Sequence, residues 1–201
     1  MTRLRPISVV LLALALLCLG ACGKSAPTKF YSLAPESFEA PEAGQKPAGP
    51  CYSLGIGPVD TPAYLDRTQI VTRGEGNRML LAEFDQWIEP VQANFSRALT
   101  DALTRLVCAK PVMGYPWPGG VRPDYQVAVQ VRTFDGTLGK EAVLRADWSV
   151  ADKDGKVVAW KSSTLREPCA GPDHAALVAA QGKLVERFAA EVAGALATQA
   201  R

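Results

Sequence analysis

Histidine is nearly absent from this chain: His174 is the single copy in 201 residues. No GxSxG, HExxH or GxGxxG occurs. These absences remove the hydrolase, zinc-peptidase and dinucleotide-binding chemistries that depend on those spacings. His174 follows Asp173 directly. Adjacent residues do not build the nucleophile, base and orienting carboxylate of a triad. Asp173 reads instead as a helix cap with His174 in the first turn. Asp152 and Asp154 fall in an evident turn, where solvation accounts for them. No catalytic residue, cofactor site or metal site is expected, and a hydrolase remains only as a rival reading resting on Asp173 and His174.

An excess of charge is also missing. Lysine and arginine number 22, aspartate and glutamate 20. If residues 1–21 are removed, Arg3 and Arg5 go with them and 20 of each sign remain. A nucleic-acid binder shows a clustered basic excess, so none is expected here. A polybasic membrane patch is absent too. The chain has no long hydrophobic run: Ile7 to Leu19 is 13 residues with one serine, against about 20 for a spanning helix.

That short run has its own meaning. A basic start (Arg3, Arg5), an apolar core and the small residues Gly20 and Ala21 follow the order of a secretory signal peptide. Leu19-Gly20-Ala21-Cys22 resembles a bacterial lipobox, which predicts acylation of Cys22 after cleavage at residue 21. Several acyl chains hold a protein firmly where one binds reversibly, at about 0.8 kcal/mol per buried methylene. Gly23, rather than Asp, follows Cys22, and the lipobox resemblance then points to the outer membrane. The remaining cysteines, Cys51, Cys108 and Cys169, meet an oxidising compartment. Three pairings are open. Cys51–Cys108 is favoured because it joins the start of a predicted strand to the end of a predicted helix. No CxxC occurs, and no histidine stands at ligand spacing.

The chain divides into a signal (1–21), a lipidated N-terminus and proline-rich linker (22–50) and a single domain (51–201). The linker would extend to about 95 Å when stretched, although Phe30 to Leu33 has the composition of a short edge strand. Alternation from Tyr52 to Ile56 predicts a strand that ends near Pro58. Strands follow at 68–73 and 78–87, with turn chemistry in Gly74-Glu75-Gly76-Asn77. Ile88, Val91, Phe95, Leu99, Ala102 and Leu106 carry helical spacing over 89–108, with Pro90 in the first turn. Further strands are predicted at 111–115, 125–134, 142–152 and 156–165, with a hairpin turn at Asp152-Lys153-Asp154-Gly155. Asp173 caps a closing helix with an apolar stripe from Leu177 to Leu196. Trp148 and Trp160 are expected in the core. This order predicts an α+β domain, a mixed and mostly antiparallel sheet with two helices packed on one face.

One loop carries more than turn chemistry requires. Tyr64 and Leu65 are bulky and stand beside the charged pair Asp66-Arg67. Local hydrogen bonding of Asp66 and pairing of Arg67 with a nearby carboxylate is one reading. A partner interface of Tyr64, Leu65, Asp66 and Arg67 is the other, since Tyr and Arg are favoured anchors. In this region the sequence resembles a known family. "FYSLAP", "GIGPVDTPAYLDRTQIVTR" and "FDQWIEPVQANFSRALTDAL" are similar to the PqiC-like auxiliary lipoproteins of ABC-type lipid transport systems. The pattern joins Cys22, Phe30-Tyr31, Pro62 through Val71, and Trp87 with Glu89-Pro90. The three body cysteines lie outside it.

The resemblance implies a non-enzymatic auxiliary subunit on the periplasmic face of the outer membrane. It implies an MCE-domain periplasmic protein and an ABC permease and ATPase as partners, a phospholipid or other hydrophobic cargo, and a possible homo-oligomer. A lipoprotein regulator of a cell-wall synthase is the rival binding module.

Overall fold

The computed structural model describes residues 26–33 and 51–199. Its strands are β1 (Lys29–Tyr31), β2 (Tyr52–Asp60), β3 (Gln69–Arg73), β4 (Met79–Trp87), β5 (Ala109–Gly114), β6 (Tyr125–Thr137), β7 (Glu141–Asp152) and β8 (Val157–Pro168). Helix α1 spans Val91–Leu106 and α2 spans His174–Gln199. The fold is α+β. The strands form two sheets, however, rather than one: β5-β2-β6-β7-β8 and β1-β4-β3.

The reason lies in β2. Its two edges are taken by β5 and β6, both parallel to it, so β3 has no free edge there to join. The 3-10 turn Ala63–Leu65 diverts the chain out of the large sheet, and β3 then pairs antiparallel with β4. Beyond β6 the large sheet is antiparallel.

β2 does not stop at Pro58. It runs to Asp60, with a register shift between Ile56 and Val59. A bulge is where a strand accommodates proline, because the missing N–H falls at a break in the ladder. Gly57 supplies φ +123° at that point, a backbone conformation open to glycine. At Gly55 the requirement is space: an added Cβ would lie 2.8 Å from Pro123 Cγ and 2.9 Å from Trp117 Cζ3.

Both helices lie on the large sheet and touch one another, α1 against β2 and β5, α2 against β6, β7 and β8. Phe95 of α1 meets Phe134 of β6 edge-on at 5.3 Å, and Phe188 of α2 meets Trp148 of β7 at 6.0 Å. Trp148 is buried and donates its indole N–H to Ser163 Oγ at 2.9 Å. The sequence expectation fails for Trp160, which is 72 % exposed. Strand register explains the difference: Trp148 pairs with Lys161, while Trp160 sits beside Ser149 on the alternate phase. Ile88 and Leu106, at the two ends of the predicted helical stripe, are likewise exposed.

The folded unit reaches back into the predicted linker. β1 pairs parallel with β4 through Lys29–Asp85, Phe30–Gln86 and Tyr31–Trp87, and Leu33 enters the core. Residues 22–25 and 34–50 lie outside the described residues. Covalent geometry nevertheless limits the distance from Cys22 to Lys29 to roughly 25 Å, well below the 95 Å stretch expected for the whole of 22–50. Among the described residues, no helix is long and apolar enough to cross a membrane.

Candidate functional site

Part of the motif, Tyr31, Thr68, Trp87 and Glu89, comes together where β1 and β4 meet the first turns of both helices. The Tyr31 hydroxyl donates to Asp85 Oδ1 at 2.6 Å. The second oxygen of Asp85 lies 3.2 Å from His174 Nδ1. The Ile88 amide donates to the Tyr31 carbonyl at 3.0 Å, and the Trp87 amide to the Thr68 carbonyl at 2.7 Å. Asn94, buried on α1, accepts from the Leu33 amide through Oδ1 at 3.0 Å. Arg97 pairs with Glu89 across the helix start. The motif thus clamps the incoming N-terminal segment to the body.

This cluster places a phenol, a carboxylate and an imidazole together. Burial and the hydrogen bond to Asp85 push Tyr31 up from 10.0 to about 12, so the phenol stays protonated. The Asp173 side chain is committed as a cap, accepting from the Ala176 amide at 2.8 Å. A pH dependence follows. A folded-state value raised above the unfolded one gives stability that is complete below about pH 10 and lost as pH rises toward about 12. Protease release of the N-terminal segment should therefore accelerate across that window, and Tyr31→Phe should flatten the rise.

The loop 61–68 covers a second buried group. Asp135 of β6 has no exposed side-chain surface. Its Oδ2 accepts from the Tyr64 hydroxyl at 2.7 Å. Arg73 of β3 donates through Nε to Oδ1 at 2.6 Å and through an Nη to Oδ2 at 3.0 Å. The Arg73 guanidinium is held above its ordinary range chiefly by this hydrogen bond, and burial with the Asp135 bond raises the Tyr64 phenol. The neighbouring residue Phe134 turns toward the helices. Asp135 turns the other way, toward β3, and ties the small sheet to the large one.

The structure separates the four predicted interface residues. Leu65 is in the core and Tyr64 is half-buried on Asp135. Asp66 and Arg67 are exposed, and Arg67 Nε donates to the Tyr64 carbonyl at 2.8 Å rather than to a carboxylate. Cys22 lies outside the described residues. Cys51 and Cys108 are joined in a disulfide with Cα atoms 4.6 Å apart. Cys169 is a free thiol that burial pushes upward. Sequence reading missed Asp135, Arg73, Asp85 and Asn94. Asp135 carried a signal, a lone carboxylate closing an apolar alternation. Asn94 carried none, since it falls among the polar residues of the helix pattern.

Beside the loop, between the end of β2 and the start of α1, a groove of about 720 Å³ is bordered by Val59, Asp60, Pro90, Gln92, Arg97 and Tyr115. Among the described residues no group of three or more His, Cys, Asp or Glu is placed to hold a metal ion. The site offers contact surface and a fixed N-terminal entry.

No curated protein matches the chain. A crystal structure of an uncharacterized protein shares the fold, with a TM-score of 0.68 and 15 % identity, over 85 % of this chain and 99 % of that one. A crystal structure of a Xanthomonas campestris protein of family DUF330 matches with a TM-score of 0.65 and 20 % identity, over 83 % of this chain and 93 % of that one. The family model described as "ABC-type transport auxiliary lipoprotein component" matches residues 31–193, from the clamped Tyr31 to within a few residues of the end of α2. The chain belongs to the family of auxiliary lipoprotein components of ABC-type transport.

Proposed function

We propose that this protein is an outer-membrane lipoprotein, acylated at Cys22, that docks an MCE-type periplasmic conduit and its ABC permease and ATPase for movement of phospholipid or another hydrophobic cargo. It does no chemistry on that cargo. The observation that carries the reading is the family match over residues 31–193, joined to a lipobox cysteine seven residues before a strand built into the body. A short entry clamped to the body through Tyr31, Leu33, Asp85 and Asn94 supports an adaptor that binds and positions.

Purification of the lipidated protein in mild detergent tests the assignment. Copurification of an MCE-domain protein and an ABC permease is the expected result. Recovery of a cell-wall synthase in their place overturns it in favour of the regulator reading. The partner loop narrows to its exposed pair: Asp66→Ala with Arg67→Ala should weaken that copurification while thermal unfolding stays cooperative. Tyr64 is unsuited to the same test because it is bonded to Asp135.

Cys22→Ser should leave an uncleaved, unacylated precursor, seen as a larger mass with no fatty acyl group. Normal processing of the variant would remove the anchor.

A further inference from the structure

The β3–β4 hairpin exposes an unusual apolar stretch. Met79, Leu80 and Leu81 open β4 with exposures of 38 %, 49 % and 50 %. Their strand pairs on one side with β3, through Val71–Leu81, Thr72–Leu80 and Arg73–Met79. On the other side β1 covers β4 only at Asp85–Trp87. Among the described residues, the first half of β4 therefore keeps an open edge. An apolar open edge is a feature that proteins normally blunt, so the exposure of Met79, Leu80 and Leu81 calls for an occupant.

Chain length identifies one. β1 opens at Lys29, which pairs with Asp85 of β4, so the reach of Cys22 and the position of Met79 can both be measured from that one pair. Seven residues separate Lys29 from Cys22 and span at most roughly 25 Å. Six residues separate Asp85 from Met79 and rise about 20 Å. The acylated end and the apolar start of the hairpin thus lie within similar distances of one strand pair, close enough to share one bilayer surface. Consecutive strand residues also point to opposite faces. Leu80 and Leu81 therefore expose both faces of the ribbon, which a single protein surface covers poorly and a headgroup–acyl boundary wets on both sides.

We infer that the β3–β4 hairpin, through Met79, Leu80 and Leu81, is a second membrane contact that lies in the bilayer interface beside the Cys22 anchor and fixes the orientation of the body. This rests on acylation of Cys22. One acylated residue leaves a body free to swivel; a second contact about 20 Å along β4 stops the swivel. The exposed pair Asp66-Arg67 is then presented to partners in a fixed attitude.

The test uses the full lipidated protein in phosphatidylethanolamine–phosphatidylglycerol vesicles carrying a bilayer-resident nitroxide lipid. An environment-sensitive fluorescent amino acid is placed at position 80, or at position 160 on β8, the outer strand of the large sheet. Mass spectrometry of the same sample reads acylation of Cys22. The expected result is quenching at 80 at least twofold stronger than at 160, abolished by adding Leu81→Asp with Met79→Asp while the protein remains on the vesicles. Acylated protein with equal quenching at both positions overturns the hairpin contact and leaves the anchor intact. An unacylated Cys22 overturns the anchor and the inference together. A label at 80 that responds only to added protein, with no response to vesicles, assigns the edge to a protein partner and also overturns the inference.

Discussion

Replacing Cys51 and Cys108 together by alanine is expected to lower the unfolding free energy by about 4 kcal/mol. The bond ties the start of β2 to the end of α1 across a sequence separation of 57 residues. A cross-link of that span restricts the unfolded chain strongly, and the loop-entropy relation gives the figure. For a domain near 150 residues this corresponds to a fall in Tm of roughly 8–16 °C. Urea unfolding of the wild type, the double variant and Cys169→Ala measures it. Cys169 is unbonded, so its substitution should shift the midpoint little. A double variant as stable as the wild type would show that the bond does not hold β2 to α1. The amide of Tyr52 already donates to the Cys108 carbonyl at 3.1 Å, so the disulfide reinforces a junction that the backbone also makes.

Arg73→Leu is expected to cost about 3 kcal/mol. Asp135 is fully buried, and removing its cationic partner leaves a carboxylate with the Tyr64 hydroxyl as its remaining side-chain donor. Arg73 itself is about half exposed, which holds the figure at the lower end of the range for broken buried pairs. Tyr64→Phe should cost less, about 1–2 kcal/mol, because one hydrogen bond to a charged acceptor is lost while the arginine stays. The informative comparison is Arg73→Leu with Asp135→Asn. Neutralising the stranded carboxylate should recover part of the loss, a coupling that chemical denaturation reads as non-additivity. Strict additivity would mean that Arg73 and Asp135 do not act together.

These effects explain how legible the protein was. The helices, the β6–β7–β8 meander and the two-layer arrangement follow from hydrophobic period, because those elements bury one face each. β2 misled at Pro58, where a bulge absorbs the proline. The second sheet could not be read from period at all, since it arises from both edges of β2 being occupied. Trp160 was misplaced for a related reason: burial in a strand depends on register against its neighbour, and register is a tertiary property. At the site, "YLDR" was read as one interface, but half of it faces inward. Tyr64 and Leu65 serve Asp135 and the core, and Asp66 and Arg67 face solvent. The partner of Tyr64 is Asp135, 71 residues away on β6, a separation that no local pattern reveals. The N-terminal segment shows the opposite case. Two aromatics and a leucine inside a proline-rich stretch marked Phe30 to Leu33 as an edge strand, and β1 occupies that place.

The clamp on that strand changes the physical picture of the lipoprotein. A body at the end of a long coil samples a large volume and meets partners in any orientation. With Cys22 acylated as proposed, the anchor is at most roughly 25 Å from the first strand and the body stays close to the bilayer. Affinity for the proposed membrane-bound partner then gains from confinement, as any linked pair of sites does.

Photo-crosslinking in intact cells, with the reactive residue at position 66 or 67 and identification of the captured chain by mass spectrometry, tests the central claim most directly. The account predicts capture of an MCE-domain periplasmic protein, dependent on Cys22. Capture of a cell-wall synthase, or of the MCE protein equally well after Cys22→Ser, would contradict it.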